Sequence, residues 1–281
     1  MNAFGEFTLI EASGLGKQVF AGTITAKASS DLLHTGWVDF KDGTEAGQAA
    51  RACLAEMLLP WSLTWLSLVH GVDVAVFDQL PEAATKTVAD AAILTRPGTA
   101  VAFTTADCVP ILINSKSAAL AIHAGWRSLA GGIIEKAVGM LLEYEIEKAQ
   151  FEAGGGSSDS SCDSCDIRTS DSALAGLRVW VGPAIDQANY EIDDATSSQL
   201  LSRPAIAKSA ESCLLQNRPG HWLADLPKMA ELILRDMGIA ENHITQSQLS
   251  TYNEATLHSA RRDGEDSGRM ANFVVLLPSE Q

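Results

Sequence analysis

The stretch AVAFTTADCVPILINSKSAALAIHAGW, residues 100–126, contains three apolar runs in close succession. Residues 100–105, 110–114 and 118–124 are rich in small and branched apolar side chains, and turn-forming residues separate them. Runs of this length between turn signals are typical of buried strands. The stretch therefore predicts three consecutive strands in one part of the fold.

The rest of the chain adds strands and helices around this stretch. Further strands are predicted at residues 63–68, 73–77, 178–181 and 271–277. Helices are predicted at residues 46–58, in the amphipathic segment after Gly125, and at residues 226–237 with Asp225 as the N-cap. Strands in consecutive runs, with helices between the runs, predict an α+β fold with mixed β-sheets and flanking helices. We expect a single domain over residues 1–281.

Residues 154–172 form a low-complexity segment that is almost free of apolar side chains. This composition predicts a flexible exposed insertion within the domain. The segment contains Cys162 and Cys165 as a C-x-x-C pair, but two thiols alone do not close a zinc site. A loop without a metal or redox role is the favoured interpretation.

The chain carries a formal net charge of -15. Nucleic acid and anionic membranes both require clustered Lys and Arg, so the charge disfavours both as partners. The N-terminal sequence lacks the basic start and apolar core of a signal peptide, and polar side chains interrupt the apolar residues 58–77. Five cysteines do not resemble a disulfide framework, so we predict a cytoplasmic protein. The sequence indicates no oligomeric state.

Three side chains with nitrogen or sulfur donors lie at the ends of predicted strands: His70 in LVHGV, Cys108 in TADCVP and His123 in AIHAGW. Strand ends can deliver side chains into a shared pocket. Two imidazoles and a thiolate suit Zn²⁺ and leave a fourth position open for water. Taken singly, each residue has a structural explanation, because a free cysteine is commonly buried and an isolated histidine is more often hydrogen-bonded than a ligand.

The segments LVHGV, DAAILTRPGTAVAFTTADCVPILI, AIHAGWRSLAGG, VGPAI followed by YEI, and RRDGEDSGRMANFVVL resemble, in this order, the motifs of the YfiH-like family. Its members are also described as laccase-domain or polyphenol oxidase proteins and as purine nucleoside phosphorylases. The resemblance extends from about Gly22 to Leu277, and TADCVP with HAGWR is its most specific part. It implies the YfiH-like fold, which is similar to that of bacterial deamidating toxins.

The resemblance implies that His70, Cys108 and His123 are zinc ligands. It implies phosphorolysis of adenosine, inosine, guanosine or methylthioadenosine, together with hydrolytic deamination of adenosine, so the implied partners are purine nucleosides and phosphate. We predict catalytic contributions from Cys108, His123 and Asp90. Asp90 matches an acidic residue of the family ahead of a strand and would orient a ligand imidazole.

Phosphorolysis requires a bound phosphate, and the planar fork of arginine matches an oxyanion. The candidates are Arg51, Arg127, Arg261, Arg262 and Arg269. Of these, we predict Arg51, Arg127 and Arg262 as substrate-binding residues. A solvated charge is the alternative for Arg51, and a structural ion network is the alternative for Arg261 and Arg262 beside Asp263.

The chain departs from the family pattern at Ser128, residues 186–189, residues 250–251 and Ala260. None of these is a predicted zinc ligand, but they border the predicted pocket and bear on substrate preference.

Three other functions compete with nucleoside chemistry. A copper-dependent polyphenol oxidase is the first, with copper as the alternative metal, although a multicopper centre needs more histidines than the six of this chain. A cysteine hydrolase with Cys108 as nucleophile and His123 as base is the second. A metal-binding protein without catalytic activity is the third. Some relatives are also associated with editing of peptidoglycan precursors.

Overall fold

The computed structural model describes residues 8–25, 39–80, 87–153 and 171–278. The strands are β1 (Leu9–Glu11), β2 (Val19–Ile24), β3 (Ser62–Ser67), β4 (Val74–Phe77), β5 (Thr87–Val88), β6 (Ala91–Leu94), β7 (Thr99–Thr105), β8 (Val109–Asn114), β9 (Ala119–Ala124), β10 (Arg178–Val181), β11 (Glu191–Asp193), β12 (Leu214–Arg218), β13 (His221–Ala224), β14 (Ile244–Gln246) and β15 (Met270–Leu276). The helices are α1 (Glu45–Met57), α2 (Trp126–Gly131), α3 (Ile133–Glu152), α4 (171–176), α5 (Asp194–Leu200), α6 (Pro204–Ala207), α7 (Leu226–Asp236) and α8 (Ala260–Asp263).

The strands form two six-stranded sheets and one smaller sheet. The first sheet has the order β1-β2-β15-β7-β3-β5, the second has the order β14-β10-β8-β9-β6-β4, and the small third sheet has the order β11-β13-β12. Both large sheets are mixed, since β7 pairs in parallel with β3 and antiparallel with β15, while β6 pairs in parallel with β4 and antiparallel with β9. The predicted α+β fold with mixed sheets is therefore confirmed.

Apolar side chains hold the two large sheets face to face between two helical layers. Phe103 and Val274 of the first sheet share one buried cluster with Leu112 and Trp180 of the second. Outside the first sheet, α1 packs Leu54 against a separate cluster. Outside the second sheet, α3 and α7 contribute to the largest cluster. Burial of one large apolar side chain stabilises the fold by about 1.5–3 kcal/mol.

The burial of both sheet faces explains why the opening stretch is so continuously apolar. Every residue of β8 and β9 is buried, because the first sheet covers one face of these strands and helices cover the other. Strands buried on both faces lack the polar alternation of a surface strand. The three runs correspond to β7, β8 and β9, as predicted.

The helix ends follow local capping chemistry. The side chain of Thr44 accepts a hydrogen bond from Gly47 N at 2.9 Å at the start of α1, and Asp225 accepts one from Lys228 N at 2.9 Å at the start of α7. Such caps satisfy backbone N–H groups that have no partner within the helix. Asp225 is therefore the N-cap that the sequence predicts.

Two predictions need correction. The segment after Gly125 forms two helices, because Gly132 has a φ of 85° in the left-handed region and interrupts the helical path between α2 and α3. The predicted loop at residues 154–172 extends too far, since residues 171 and 172 lie in α4. Cys162 and Cys165 lie outside the described residues. Within the described ranges, none of the helices is long and apolar enough to cross a membrane.

Candidate metal centre

Three connections that run from the first sheet to the second carry predicted site residues. His70 lies between β3 and β4, Asp90 between β5 and β6, and Cys108 between β7 and β8. His123 belongs to β9 and pairs with Pro110 of β8. The topology thus brings together four predicted residues that are far apart in the sequence.

The donor atoms of His70, Cys108 and His123 lie within 4.8 Å of one another. The Cys108 Sγ atom is 3.8 Å from His70 Nε2, and the two imidazole rings are nearly perpendicular, at 83°, with 4.8 Å between their centroids. His123 is 2% exposed, Cys108 is partly exposed and His70 is exposed. The cluster is therefore anchored in the core and opens to solvent beside His70.

Asp90 connects two of these residues from a fully buried position. Its Oδ1 accepts a hydrogen bond from His70 N at 2.9 Å and lies 2.9 Å from His123 Nδ1. Its Oδ2 accepts hydrogen bonds from Val69 N at 3.2 Å and Gly71 N at 2.8 Å. His70 has a φ of 57°, a left-handed conformation that costs about 1–2 kcal/mol for a residue with a side chain. The Asp90 carboxylate stabilises this turn and the imidazole of His123 together.

The charges of the cluster depend on one another. Burial raises the pKa of the Cys108 thiol, but the positive charge of His123 and hydrogen bonds from His123 and His70 lower it to about 6. Burial lowers the pKa of His123, but the Cys108 thiolate and Asp90 raise it to about 9. Burial also raises the pKa of Asp90, and hydrogen bonds, that from His123 foremost, bring it below its ordinary value. Near neutral pH, Cys108 is therefore a thiolate, the form that binds metals.

The space and the donor chemistry both fit a zinc ion. A Cβ atom at Gly125 would lie 2.9 Å from His70 Cδ2 and 3.1 Å from Cys108 Sγ, so glycine leaves room among the donors. Tetrahedral zinc, with bonds of about 2.3 Å to sulfur and about 2.0 Å to nitrogen, places these donors about 3.5 Å apart. The observed Sγ to Nε2 separation of 3.8 Å is close to this distance. A carboxylate bonded to the remaining ring nitrogen, as Asp90 is to His123 Nδ1, is typical of zinc-binding histidines.

A cavity of about 440 Å³ adjoins the three donors. Arg261 and Arg269 line it together with the donors and Tyr190. The guanidinium carbon of Arg261 lies 4.8 Å from the centre of the Tyr190 ring, and its Nη1 donates to Glu191 O at 3.0 Å. Nη1 of Arg269 donates to two neighbouring backbone carbonyls. Because a guanidinium has more N–H donors than these contacts use, both arginines can also bind an oxyanion.

The three arginines predicted to bind substrate lie outside the cavity lining. Arg127 is exposed, and its guanidinium carbon lies 4.4 Å from the centre of the Trp126 ring. Arg51 donates from Nε to Phe40 O at 3.0 Å and lies 4.4 Å from the centre of the Trp65 ring. Substrate binding by these two residues stays a prediction that their placement does not support.

The contacts of Arg262 hold the local fold together. Its guanidinium donates to the carbonyls of Thr251 and Leu257 at 2.9 and 2.7 Å and forms an ion pair with Asp263 at 2.7 Å. Adjacent residues of a helix point about 100° apart, so Arg261 and Arg262 of α8 face different surroundings. The ion-network alternative describes Arg262, whereas Arg261 lines the cavity.

Asp107 has a role that sequence reasoning missed. Its carboxylate accepts hydrogen bonds from Thr251 Oγ1 at 2.6 Å and from Arg261 N at 2.7 Å. It also has a φ of 90°. Asp107 therefore connects the turn that carries Cys108 to the helix that carries Arg261. Its position next to Cys108 was the only sequence signal for this link.

The departures from the family pattern fall in different environments. Ala260 lines the cavity beside the donors, whereas Ser128 is buried in α2. Asp186 accepts a hydrogen bond from Ser250, and both line a separate cavity of about 240 Å³. Ala260 is therefore the departure that bears directly on the space beside the metal ligands.

Similar proteins place these observations in a family. Residues 29–164 and 166–277 match the family model described as multi-copper polyphenol oxidoreductase laccase. Purine nucleoside phosphorylase YfiH of Escherichia coli strain K12 is 31% identical over 222 residues, which are 78% of this chain and 76% of that protein. A purine nucleoside phosphorylase of Xylella fastidiosa strain Temecula1 is 30% identical over 230 residues, which are 80% of this chain and 76% of that protein.

Solved structures share the fold. A Neisseria meningitidis protein superposes with a TM-score of 0.74 at 22% identity and covers 96% of this chain and 99% of its own. YlmD from Geobacillus stearothermophilus superposes with a TM-score of 0.69 at 24% identity, covering 95% of this chain and 94% of its own. The fold implied by the sequence motifs is confirmed, and the chain belongs to the YfiH-like family of laccase-domain proteins.

Proposed function

We propose that this protein is a zinc-dependent purine nucleoside phosphorylase. The observation that carries the proposal is the convergence of one His-Cys-His donor set and two arginines on a single cavity. Relatives at 30 and 31% identity that bear the name purine nucleoside phosphorylase support the same reaction.

The reaction sets clear demands on the cavity. An oxygen of inorganic phosphate forms a bond to the ribose C1′ while the bond from C1′ to the purine nitrogen breaks, and the departing base keeps the bonding electrons and takes up a proton. The phosphate must be held close to C1′, and the charge that develops must be stabilised. Arg261 and Arg269 supply N–H donors for the phosphate. Adenosine, inosine, guanosine and methylthioadenosine share the scissile bond and are the proposed substrates.

His70, Cys108 and His123 hold the metal in this proposal. When bound, zinc supplies Lewis acidity, which serves phosphorolysis and also the hydrolytic deamination of adenosine that we include as a second activity. Asp90 fixes the orientation of His123 through Nδ1 and leaves Nε2 for the metal. Within the described ranges, the donors form one group of three, whereas a multicopper oxidase requires additional histidine-rich clusters. The donor set therefore favours zinc over copper.

The test combines metal analysis with phosphate-dependent release of free purine base. We expect about one zinc ion per wild-type chain, as a three-donor catalytic site implies, and base release that requires phosphate. Cys108→Ala should lose both the metal and the activity. Cys53→Ala changes a partly exposed cysteine of α1 and should keep both. Wild-type protein that binds no metal and releases no base would contradict the proposal.

A cysteine hydrolase is a second candidate, favoured by one specific observation. Asp90, His123 and Cys108 form a row in which the carboxylate lies 2.9 Å from His123 Nδ1 and the thiol pKa is lowered to about 6. Such a row can activate a cysteine nucleophile. Hydrolysis of an amide by metal-free protein, abolished by alkylation of Cys108, would support this candidate. Loss of activity on chelation and recovery with Zn²⁺ would support the phosphorylase.

Purine nucleosides and phosphate are the proposed small-molecule partners. The extent of the single domain over residues 1–281, the cytoplasmic location and the lack of nucleic-acid and membrane partners stay predictions from the sequence. In a binding assay, we expect that neither nucleic acid nor anionic vesicles retain the protein, at low or at high salt concentration.

A further inference from the structure

A row of three buried polar side chains crosses the first sheet next to the cavity. Thr23 on β2, Asn272 on β15 and Thr105 on β7 are 0, 0 and 2% exposed. They lie on the sheet face that also carries Phe103 and Val274, since alternate residues of a strand share a face. Polar groups at the edge of an apolar interior destabilise a protein unless they are bonded. The row therefore requires a physical reason.

The hydrogen bonds of the row have a direction. Thr23 Oγ1 donates to Asn272 Oδ1 at 2.5 Å, and Asn272 Nδ2 donates to Thr105 Oγ1 at 2.9 Å. The oxygen of Thr105 is thus already an acceptor. Among the described residues, no acceptor is bonded to the Thr105 hydroxyl proton. The row ends on an unused O–H donor.

The residue that carries this donor borders the cavity of the metal centre. Thr105 is the last residue of β7 and lines the cavity together with Cys108. Arg261 and Arg269 line the same cavity, and their positive charges favour an anionic oxygen as the acceptor. Inorganic phosphate is the anion that the proposed reaction consumes. The chemistry that fits the unused O–H donor is therefore a phosphate oxygen.

We propose that Thr105 is a phosphate-binding residue whose hydroxyl donates a hydrogen bond to the substrate phosphate. In this proposal Thr23 and Asn272 are positioning residues, because they occupy the Thr105 oxygen as an acceptor and direct its proton outward. The inference rests on the proposed phosphorylase function and assigns one part of the cavity to phosphate recognition.

Steady-state kinetics with phosphate and nucleoside varied separately test the hydroxyl. Thr105→Val removes the hydroxyl at nearly constant shape, and we expect the KM for phosphate to rise roughly ten- to a hundredfold, the effect of losing one hydrogen bond to a charged group. The KM for nucleoside and the zinc content should not change. Thr105→Ser keeps the hydroxyl and should retain a phosphate KM within about threefold of wild type.

Thr99 offers a matched control on the same strand and face. Its buried hydroxyl donates to Arg96 O at 2.6 Å, away from the cavity. Thr99→Val should therefore leave both KM values unchanged. A rise in phosphate KM in this variant would show that the effect comes from packing in β7.

Asn272→Asp tests the positioning role while Thr105 stays intact. The introduced carboxylate cannot donate, so the Thr105 hydroxyl should turn its proton towards a carboxylate oxygen and no longer offer it to phosphate. We expect the phosphate KM to rise as in Thr105→Val, and circular dichroism checks that the variant is folded. If Thr105→Val does not fold, this variant carries the same comparison.

Calorimetric titration of inorganic phosphate into the zinc-loaded protein, without nucleoside, separates this inference from the proposed function. Wild-type protein that binds phosphate but releases no base overturns the phosphorylase, while weaker phosphate binding by Thr105→Val still supports the inference. Equal phosphate affinity in wild type and Thr105→Val overturns it. So does an equal loss in the Ser and Val variants, or wild-type protein that binds no phosphate.

Discussion

Asp90→Asn should weaken the metal centre although Asp90 is not itself a proposed ligand. The carboxylate receives four contacts, from the backbone of residues 69–71 and from His123 Nδ1. An asparagine has nearly the same shape but replaces one oxygen by an NH₂ group, which cannot accept. In either amide orientation, two of the four donors therefore lose their acceptor.

The structure gives the size of this effect. A buried donor left without an acceptor costs about 1–3 kcal/mol. Val69 and Gly71 are not fully buried, so water can partly replace the lost bonds. We expect the free energy of unfolding of the metal-free protein to fall by about 2–4 kcal/mol. Zinc affinity should fall roughly ten- to a hundredfold, because a ligand histidine loses the carboxylate that orients it and His70 loses a contact that holds its positive φ.

Competition with a chromophoric chelator measures the zinc dissociation constant, and urea unfolding measures stability. Asp73→Asn is the matched control, since the Asp73 side chain is 74% exposed and forms an ion pair with Lys136 at 3.7 Å. It should change stability by less than about 0.5 kcal/mol and leave zinc affinity unchanged. A dissociation constant for Asp90→Asn within twofold of wild type would refute the role assigned to this carboxylate.

Three further predictions concern other parts of the structure. Gly125→Ala should weaken zinc binding by about 1–3 kcal/mol, because its Cβ would lie 2.9 Å from the ring of His70. The control Gly139→Ala has open space around its Cβ in α3 and should raise the free energy of unfolding by about 0.5–1 kcal/mol. Unchanged zinc affinity in Gly125→Ala would contradict the steric explanation. Zinc binding near neutral pH should release about one proton, because the raised pKa of His123, about 9, keeps its ring protonated in the metal-free protein whereas the neighbouring thiol has already ionised. Apparent zinc affinity should therefore rise with pH up to about 9. Calorimetry in buffers of different ionisation heat counts the released protons, and zinc binding without proton release would contradict this prediction. Glu145→Ala should lower the free energy of unfolding by about 1–3 kcal/mol, since one carboxylate oxygen accepts three hydrogen bonds from the turn between β8 and β9. Glu147→Ala, on the exposed side of α3, should change it by less than about 0.5 kcal/mol. Urea unfolding measures both variants.

The sequence predicts β7, β8 and β9, which are almost completely buried, but it misses β6, a strand of four residues that is buried throughout. Strands β7, β8 and β9 are mostly apolar because both of their faces are covered, and their pattern is strong. Strand β5 has two residues and strand β2 contains Gly22, so neither produces a clear pattern. The strand order was not predictable, because β15 pairs with β2 and β7 across most of the chain length. Long-range pairing depends on the packed sheets and not on local sequence.

The sequence identifies the residues of the candidate metal site, but it does not show in which direction neighbouring side chains point. Motif resemblance identifies His70, Cys108 and His123, and the structure brings them together. It does not distinguish Arg261 from Arg262, because adjacent positions of one short helix differ only in where their side chains point. The hydrogen bonds that decide this difference come from residues elsewhere in the chain.

The placement of the proposed metal ligands on connections between the two large sheets has a thermodynamic consequence. His70 and Cys108 leave the first sheet and His123 belongs to the second, so neither sheet alone presents the complete donor set. A ligand that binds only the assembled state stabilises that state in proportion to its affinity and concentration. Metal binding is then coupled to the packing of one sheet against the other. The occupancy of the metal site therefore measures the fraction of protein in which the two sheets are packed together. Zinc depletion should loosen the junction between the sheets before it affects the hydrogen bonds within either one.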